Sequence, residues 1–198
     1  VLDDDIEIND LQYNNNENSI VKQHGGVFTW QPDMWEWENG IKDSYESTYT
    51  QIMGVNAVLD GVDDVEGSVE EKEVVKAQAL GLRAYYYFML VNLYGEPYNY
   101  NKKALGVPLK LTSALLENGI TRNTVEEVYT RIVMDLEQAS ALFGKYSKRR
   151  GDFRINGTAT DILLSRVYLY MEEWDRAIEA ANRAIKTAEG LTDYTTVE

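Results

Sequence analysis

The sequence predicts an all-α fold, in which helical hairpins follow a loop-rich N-terminal segment. Of its 198 residues, 44% are hydrophobic and only three are proline, a composition typical of helix-rich globular chains. A central run, Ala79–Tyr94, is apolar except for Arg83 and Asn92, so a helix made from it is expected to be buried on every face. The run is shorter than the roughly 20 apolar residues that a bilayer requires. We therefore interpret it as the core helix of a globular domain.

Local signals mark both ends of this central helix. Ser68 and Glu71 have the spacing of a capping box, Gly95 is expected in a left-handed conformation after the last turn, and Pro97 prevents continuation. A guanidinium group keeps its charge, so Arg83 is expected to face a carboxylate or several backbone carbonyls. A structural role for Arg83 is favoured over the alternative, a ligand contact.

The charge balance restricts the partners of the chain. A net charge of -14 and a pI near 4.5 disfavour nucleic acid and anionic lipid surfaces. The basic stretch at residues 145–153 is interpreted as a solvated loop or an internal counter-charge. Without cysteine there is no disulfide, thiolate nucleophile or cysteine metal site. No start methionine or signal peptide is present, so we expect a chain trimmed at its N-terminus.

Residues 1–42 show no sustained period and are predicted to be an extended, loop-rich segment. Trp30, Trp35 and Trp37 form a tryptophan cluster beside a proline and a glycine, and Asn39 follows it. Indole faces stack on the C–H faces of sugar rings, while nearby amides and carboxylates bind hydroxyls. This cluster is the candidate glycan site. The alternative is that the three rings pack beneath the loop as ordinary core.

Catalytic and metal-binding interpretations of this segment find little support. Asp3, Asp4 and Asp5 lack the spacing of a calcium loop, and His24 has no second histidine or cysteine as a co-ligand. Glu36 and Glu38 are the strongest enzymatic alternative, as a glycosidase pair, but they alternate on one loop. No common nucleophile or phosphate-binding motif occurs. We expect no enzyme activity, no metal and no cofactor.

Helical spacing predicts four further elements around the central helix. An amphipathic helix at 43–59 forms a first hairpin with it, spanning 43–97, and is followed by a connection at 98–123. A capping box at Thr124 and Glu127 begins the next helix, which continues to Gly144. Two more helices follow at 158–170 and 173–188. The predicted buried faces of these last two helices are Ala159, Ile162, Leu163, Arg166, Val167 and Tyr170, and then Trp174, Ala177, Ile178, Ala181, Ala184 and Ile185.

The last two helices read LSRVYLYMEEWDRAIEAANRAI, a pattern typical of a tetratricopeptide hairpin, with alanines where the helices approach closely. We therefore expect one domain over 1–198, an α–α superhelix of such hairpins. Stacked hairpins bury their faces only on neighbours, so the array is expected to be incomplete at its C-terminus. The predicted structural core includes Arg83, Tyr85, Phe88, Tyr168 and Trp174.

Four runs in this order carry a family resemblance: KAQALGLRAYYYFMLVNLYGEPYN, LGVPL, TRNTVEEVYTRIVMDLEQA and ATDILLSRVYLYMEEWDRAIEAANRAI. Together they resemble the N-terminal half of the SusD/RagB outer-membrane lipoproteins of Bacteroidetes, over roughly residues 43–186. The resemblance implies a lipid-anchored protein on the cell surface that takes part in starch or other polysaccharide utilization. It implies binding of oligosaccharide or polysaccharide for nutrient uptake, and a SusC-like TonB-dependent transporter as partner.

The chain departs from the family pattern in two places. The lipidated cysteine is absent, so any membrane association depends on an anchor that this sequence lacks, and Leu2-Asp3 is interpreted as the trace of the family's FLD-like start. The family's loop tryptophans and asparagine map onto Trp30, Trp35, Trp37 and Asn39 without a motif that fixes the alignment. Glycan binding is the leading hypothesis, followed by a tetratricopeptide-like protein-interaction scaffold and, third, a glycoside hydrolase.

Overall fold

The computed structural model describes residues 44–115, 119–146, 153–188 and 195. The chain divides into two units, Val1–Ser47 and Thr48–Glu198, and nearly all of the described residues belong to the second. The predicted loop-rich segment 1–42 lies outside the described residues. So do the tryptophan cluster, Asn39, His24, the acidic run at 3–5 and the pair Glu36 and Glu38, together with residues 147–152 of the basic stretch.

The described residues form five helices and contain no strand apart from an isolated bridge between Leu105 and Thr124. The helices are α1 (Ser44–Gly61), α2 (Val69–Tyr94), α3 (Val125–Lys145), α4 (Gly157–Tyr170) and α5 (Trp174–Thr187). This confirms the predicted all-α class, with element bounds within three residues of those expected. None of the helices in the described ranges is long and apolar enough to cross a bilayer.

Successive helices run antiparallel, as hairpin stacking requires. Between α1 and α2, Asn56 bonds Arg83, whereas Leu59, one turn later on α1, packs near Ala77 and Leu80, earlier on α2. The later helices show the same reversal. The paired contacts are Leu80 with Ala139 and Phe88 with Tyr129 for α2 and α3, Ser140 with Asp161 and Glu137 with Tyr168 for α3 and α4, and Thr158 with Thr187 and Ser165 with Ala177 for α4 and α5.

Both predicted capping boxes are confirmed. Ser68 Oγ accepts a hydrogen bond from the Glu71 backbone N–H at 3.2 Å, and the Glu71 carboxylate accepts one from the Ser68 N–H at 3.0 Å. Thr124 and Glu127 repeat this reciprocal arrangement at the start of α3. Each box satisfies backbone donors that the first turn of a helix leaves unpaired.

The left-handed conformation expected at Gly95 is wrong. Its backbone is extended, with φ -109° and ψ 172°, and its N–H donates to Val91 O at 2.9 Å. A Cβ at this position would lie 2.6 Å from Val91 O and 3.5 Å from a methyl group of Val125. Glycine is therefore required because the backbone at this position lies against the Val91 carbonyl oxygen in the last turn of α2, rather than for a positive φ.

The central helix is not enclosed on every face. Its buried side carries Ala77, Leu80, Ala84, Phe88 and Val91, whereas Val75, Tyr85, Met89 and Leu93 are 41–46% exposed. Tyr85 was expected in the core and lies on this exposed stripe instead. An apolar composition indicates that burial of every helix face is favourable. Whether a given face is buried depends on whether another element packs against it.

The buried faces of α4 and α5 also differ from those expected. Of the predicted α4 face only Val167 is buried, because that helix directs Thr160, Asp161 and Tyr168 inward, where each has a hydrogen-bond partner. On α5 the buried residues are alanines, and Trp174 is 56% exposed rather than part of the core. A hydrophobicity pattern misses polar groups that are buried with partners. Ile162, Ile178 and Ile185 are left exposed.

Replacing Gly95 by alanine is expected to lower the free energy of unfolding by about 1–3 kcal/mol, since the new methyl group overlaps Val91 O. Gly54 on α1 is the matched control, because nothing lies within 4 Å of its Cβ position. Gly54→Ala should stabilise by up to about 1 kcal/mol through helix propensity. Urea unfolding followed by circular dichroism measures both; equal effects of the two substitutions would contradict the close-approach argument.

Candidate functional site

A buried ion pair joins α2 to α3. Arg83 donates from Nε to Asp135 Oδ2 at 2.7 Å and from Nη2 to Asp135 Oδ1 at 2.9 Å, which is a bidentate pair. Side-chain exposure is 6% for Arg83 and zero for Asp135. Asp135 also accepts from Arg131, one turn earlier on the same helix. The prediction that Arg83 faces a carboxylate is confirmed.

The pair extends into a network that reaches α1 and the connection between α2 and α3. Arg83 Nη1 donates to Asn56 Oδ1 at 3.0 Å, and Asn56 Nδ2 donates to Lys110 O at 2.8 Å. The Tyr87 hydroxyl donates to Lys110 O and accepts from Lys110 N–H, both at 2.7 Å. Burial raises the pKa of Tyr87, so its hydroxyl remains a donor at physiological pH. We call Asn56, Arg83, Tyr87 and Asp135 the polar network.

Further bonds hold the connection at two more places. Arg122 donates to Gly106 O at 2.6 Å and to Leu105 O at 2.8 Å, beside the start of α3. Near its middle, Asp60 of α1 accepts from both the backbone N–H and the hydroxyl of Ser113, and these bonds lower the pKa of Asp60. The described residues of the connection are therefore held in place by side chains of α1, of α2 and of the connection itself.

Arg83 directs donors on all three guanidinium nitrogens to protein acceptors. This arrangement favours the structural interpretation of Arg83 over ligand contact. The geometry explains the one charge within an otherwise apolar run, because a buried guanidinium is tolerated only with a paired, hydrogen-bonded partner.

A cavity of about 920 Å³ lies at one end of the helix array, between the first turns of α2 and α4 and the last turns of α3 and α5. We call it the end cavity. Val74, Phe143 and Ile155 supply apolar surface, whereas Gln78, Asp161 and Arg183 supply polar groups. Its size is within the range of small-molecule sites.

Asp161 is the most buried charged group that lines the end cavity, with 8% of its side chain exposed. Its Oδ1 atom accepts from Ser140 Oγ at 2.8 Å and from Arg183 Nε at 3.0 Å. Among the described residues no donor bonds its Oδ2 atom. Since no fully buried side-chain N or O atom in the described ranges lacks a partner, this oxygen is accessible from the cavity.

Comparison of the sequence with models of protein families identifies the family of this chain. A model of SusD-like proteins, described as "Starch-binding associating with outer membrane", matches residues 3–169. The chain belongs to the SusD-like family. The match includes the tryptophan cluster and helices α1 to α3, together with nearly all of α4.

Individual SusD-like proteins resemble this chain over most of its length. A SusD-like protein of Formosa agariphila is 22% identical over 139 residues, which are 70% of this chain and 25% of that protein. The crystal structure of a putative sugar binding protein from Bacteroides vulgatus is 31% identical, with a TM-score of 0.73 over 86% of this chain and 38% of the other. A laminarin binding SusD-like protein is 24% identical, with a TM-score of 0.64 over 81% of this chain and 33% of the other.

This chain therefore spans between a quarter and two fifths of the length of these SusD-like relatives.

Of the five residues predicted to form the structural core, the structure buries Arg83, Phe88 and Tyr168 and exposes Tyr85 and Trp174. Sequence reasoning missed Asp135, Asp161 and the end cavity. Asp135 and Asp161 were missed because carboxylates in helices usually face solvent. The cavity was missed because it is formed by helix ends that are distant in sequence.

Arg83→Met is expected to lower the free energy of unfolding by about 3–5 kcal/mol, because it breaks a buried pair and leaves acceptors of the polar network unmatched. Lys76→Met, on the same helix, is the control: its pair with Asp63 is solvent-exposed and should contribute at most about 1 kcal/mol. Hydrogen exchange at the Lys110 amide should accelerate only in Arg83→Met. Unchanged exchange there would mean that the network does not hold the connection.

Proposed function

We propose that this SusD-like chain is part of a non-catalytic glycan-binding protein at the outer-membrane surface, which delivers oligosaccharides to a TonB-dependent transporter. The observation that carries the proposal is the family match over residues 3–169, which includes the tryptophan cluster. The description of the Bacteroides vulgatus relative as a putative sugar binding protein supports the same ligand class.

The residue types of the predicted site suit a neutral glycan. The indole rings of Trp30, Trp35 and Trp37 offer flat apolar faces for sugar C–H groups, and the amide of Asn39 offers both a donor and an acceptor for hydroxyls. The net charge of -14 disfavours a strongly anionic polysaccharide. In this proposal the five helices are the rigid scaffold that carries the binding loops.

A second candidate, a protein-interaction scaffold without glycan binding, is favoured by the apolar surface of the last hairpin. A groove of about 230 Å³ between α4 and α5 is lined by Ile162, Ala181 and Ile185. Tetratricopeptide-like hairpins bury such grooves against a neighbouring helix. This observation explains an interaction surface but not the tryptophan cluster, so glycan binding remains the leading proposal.

Tryptophan emission is expected to shift on titration with laminarihexaose or maltohexaose, because stacked sugars change the environment of the indoles. Trp35→Ala should weaken binding about tenfold. Trp174→Phe is the control, since Trp174 is exposed on α5, outside the cluster. An unchanged emission spectrum with both sugars and with a wider oligosaccharide panel would favour the scaffold candidate.

Incubation of the intact protein with the same sugars is expected to release no reducing ends, as a binding protein without hydrolytic chemistry requires. Substitution of Glu36 and Glu38 by glutamine should leave this result unchanged. Measurable release that disappears in the double variant would instead establish the glycosidase alternative.

Affinity purification of the intact protein from detergent-solubilised outer membranes should recover a TonB-dependent transporter in stoichiometric amount. The interaction should persist in Trp35→Ala, because glycan contact and transporter docking use different residues in this proposal. If no transporter is recovered with the protein, the proposed delivery of glycan to a transporter is contradicted, whereas the proposed glycan binding is unaffected.

A further inference from the structure

We propose that the end cavity is a second sugar-binding site, separate in residues from the tryptophan cluster. The inference deepens the proposed function and rests on it for the class of ligand. It begins from three polar side chains that line the cavity, Gln78, Asp161 and Arg183, which come from α2, α4 and α5. None of them was a candidate on sequence grounds.

The first step is the free acceptor at Asp161. Ser140 and Arg183 fix the orientation of this buried carboxylate through its Oδ1 atom, while Oδ2 remains without a partner among the described residues and is open to the cavity. A carboxylate oxygen that has no protein partner accepts hydrogen bonds from water or from a ligand. A sugar hydroxyl is a donor of suitable size, and bonds to a carboxylate are stronger than neutral ones.

The second step is that hydrogen-bond donors line the same cavity as this acceptor. In the described part of the chain, Nη1 of Arg183 has no hydrogen-bond partner, and the half-buried amide of Gln78 has none either. Asp161, Arg183 and Gln78 thus offer an acceptor, a charged donor and a group that does both. This combination matches vicinal hydroxyls, each of which donates and accepts.

The third step concerns the apolar wall and the charge. The half-buried ring of Phe143 lines the cavity together with Val74 and Ile155, which gives a surface for the C–H groups of a sugar ring. The lining carries three acidic and three basic side chains. A balanced lining within a chain of net charge -14 favours an uncharged polyhydroxylated ligand over an anion or a cation.

The test uses the intact protein, with laminarihexaose and maltohexaose as probes in isothermal titration calorimetry. The starting variant is Trp35→Ala with Trp37→Ala, which removes the proposed tryptophan site. Residual binding of at least one probe is expected. Adding Gln78→Leu should weaken that residual binding about tenfold or more, because an amide that bonds the ligand is lost.

Gln138→Leu is the matched control, because Gln138 is an exposed residue of α3 that does not line the cavity. It should leave residual binding unchanged. Asp161→Asn is a second variant, since it keeps an oxygen acceptor for Ser140 and Arg183 but replaces the other with an amide nitrogen. It should also weaken residual binding about tenfold, and thermal melting of each variant verifies that the fold is retained.

The outcomes separate the two proposals. If wild type binds but the double tryptophan variant does not, the cavity site is overturned and the proposed function stands. If residual binding persists undiminished in Gln78→Leu, the cavity site is likewise overturned. If binding is insensitive to the tryptophan substitutions and is lost in Gln78→Leu, the cavity is supported and the tryptophan cluster is not the site. If wild type binds neither probe, the cavity proposal fails for both sugars.

Discussion

The bidentate bond between Arg83 and Asp135 is the interaction on which the arrangement of the first three helices depends. It joins residues 52 positions apart in sequence and excludes water from both charges. Such a pair contributes little net stability relative to an apolar replacement, but loss of one partner is severe because a charge remains buried and unmatched. The pair therefore specifies one register between α2 and α3, and mismatched registers are strongly disfavoured.

The same arginine determines the path of the long connection. Asn56 is held by Arg83 and in turn bonds Lys110 O, so the position of the connection follows from the ion pair through one intermediate. Tyr87, which belongs to the same network, adds a second attachment at Lys110. Segments of this length without secondary structure are usually functional or disordered. The described residues of this one are held by hydrogen bonds, and those at Lys110 backbone atoms are partly buried.

Sequence reasoning was accurate where structure is encoded locally. Ser68 and Thr124 predicted helix starts correctly because a capping box involves only four consecutive residues. On α4 only Val167 of the predicted face is buried, since that helix carries apolar residues on several sides and its inward polar groups, such as Asp161, are recognisable only from their partners. On α5 the predicted Ala177 and Ala184 are buried, whereas Trp174, Ile178 and Ile185 are exposed. The end cavity could not be predicted from local patterns, because its lining comes from four segments that only the fold brings together. The tryptophan cluster, by contrast, was predicted from residue type alone, and its placement lies outside the described residues.

Side chains of α1 and α2 recognise main-chain carbonyl oxygens of the connection. Asn56 and Tyr87 donate to Lys110 O, and the Tyr49 hydroxyl on α1 donates to Pro108 O. Every amino acid supplies a carbonyl group, so replacement of Lys110, Leu111 or Thr112 leaves these acceptors in place. Natural variation can therefore change the side-chain chemistry of residues 110–112 while the path of the connection across α1 and α2 stays constant. The surface formed by these residues can diverge between relatives without a change in the backbone beneath it.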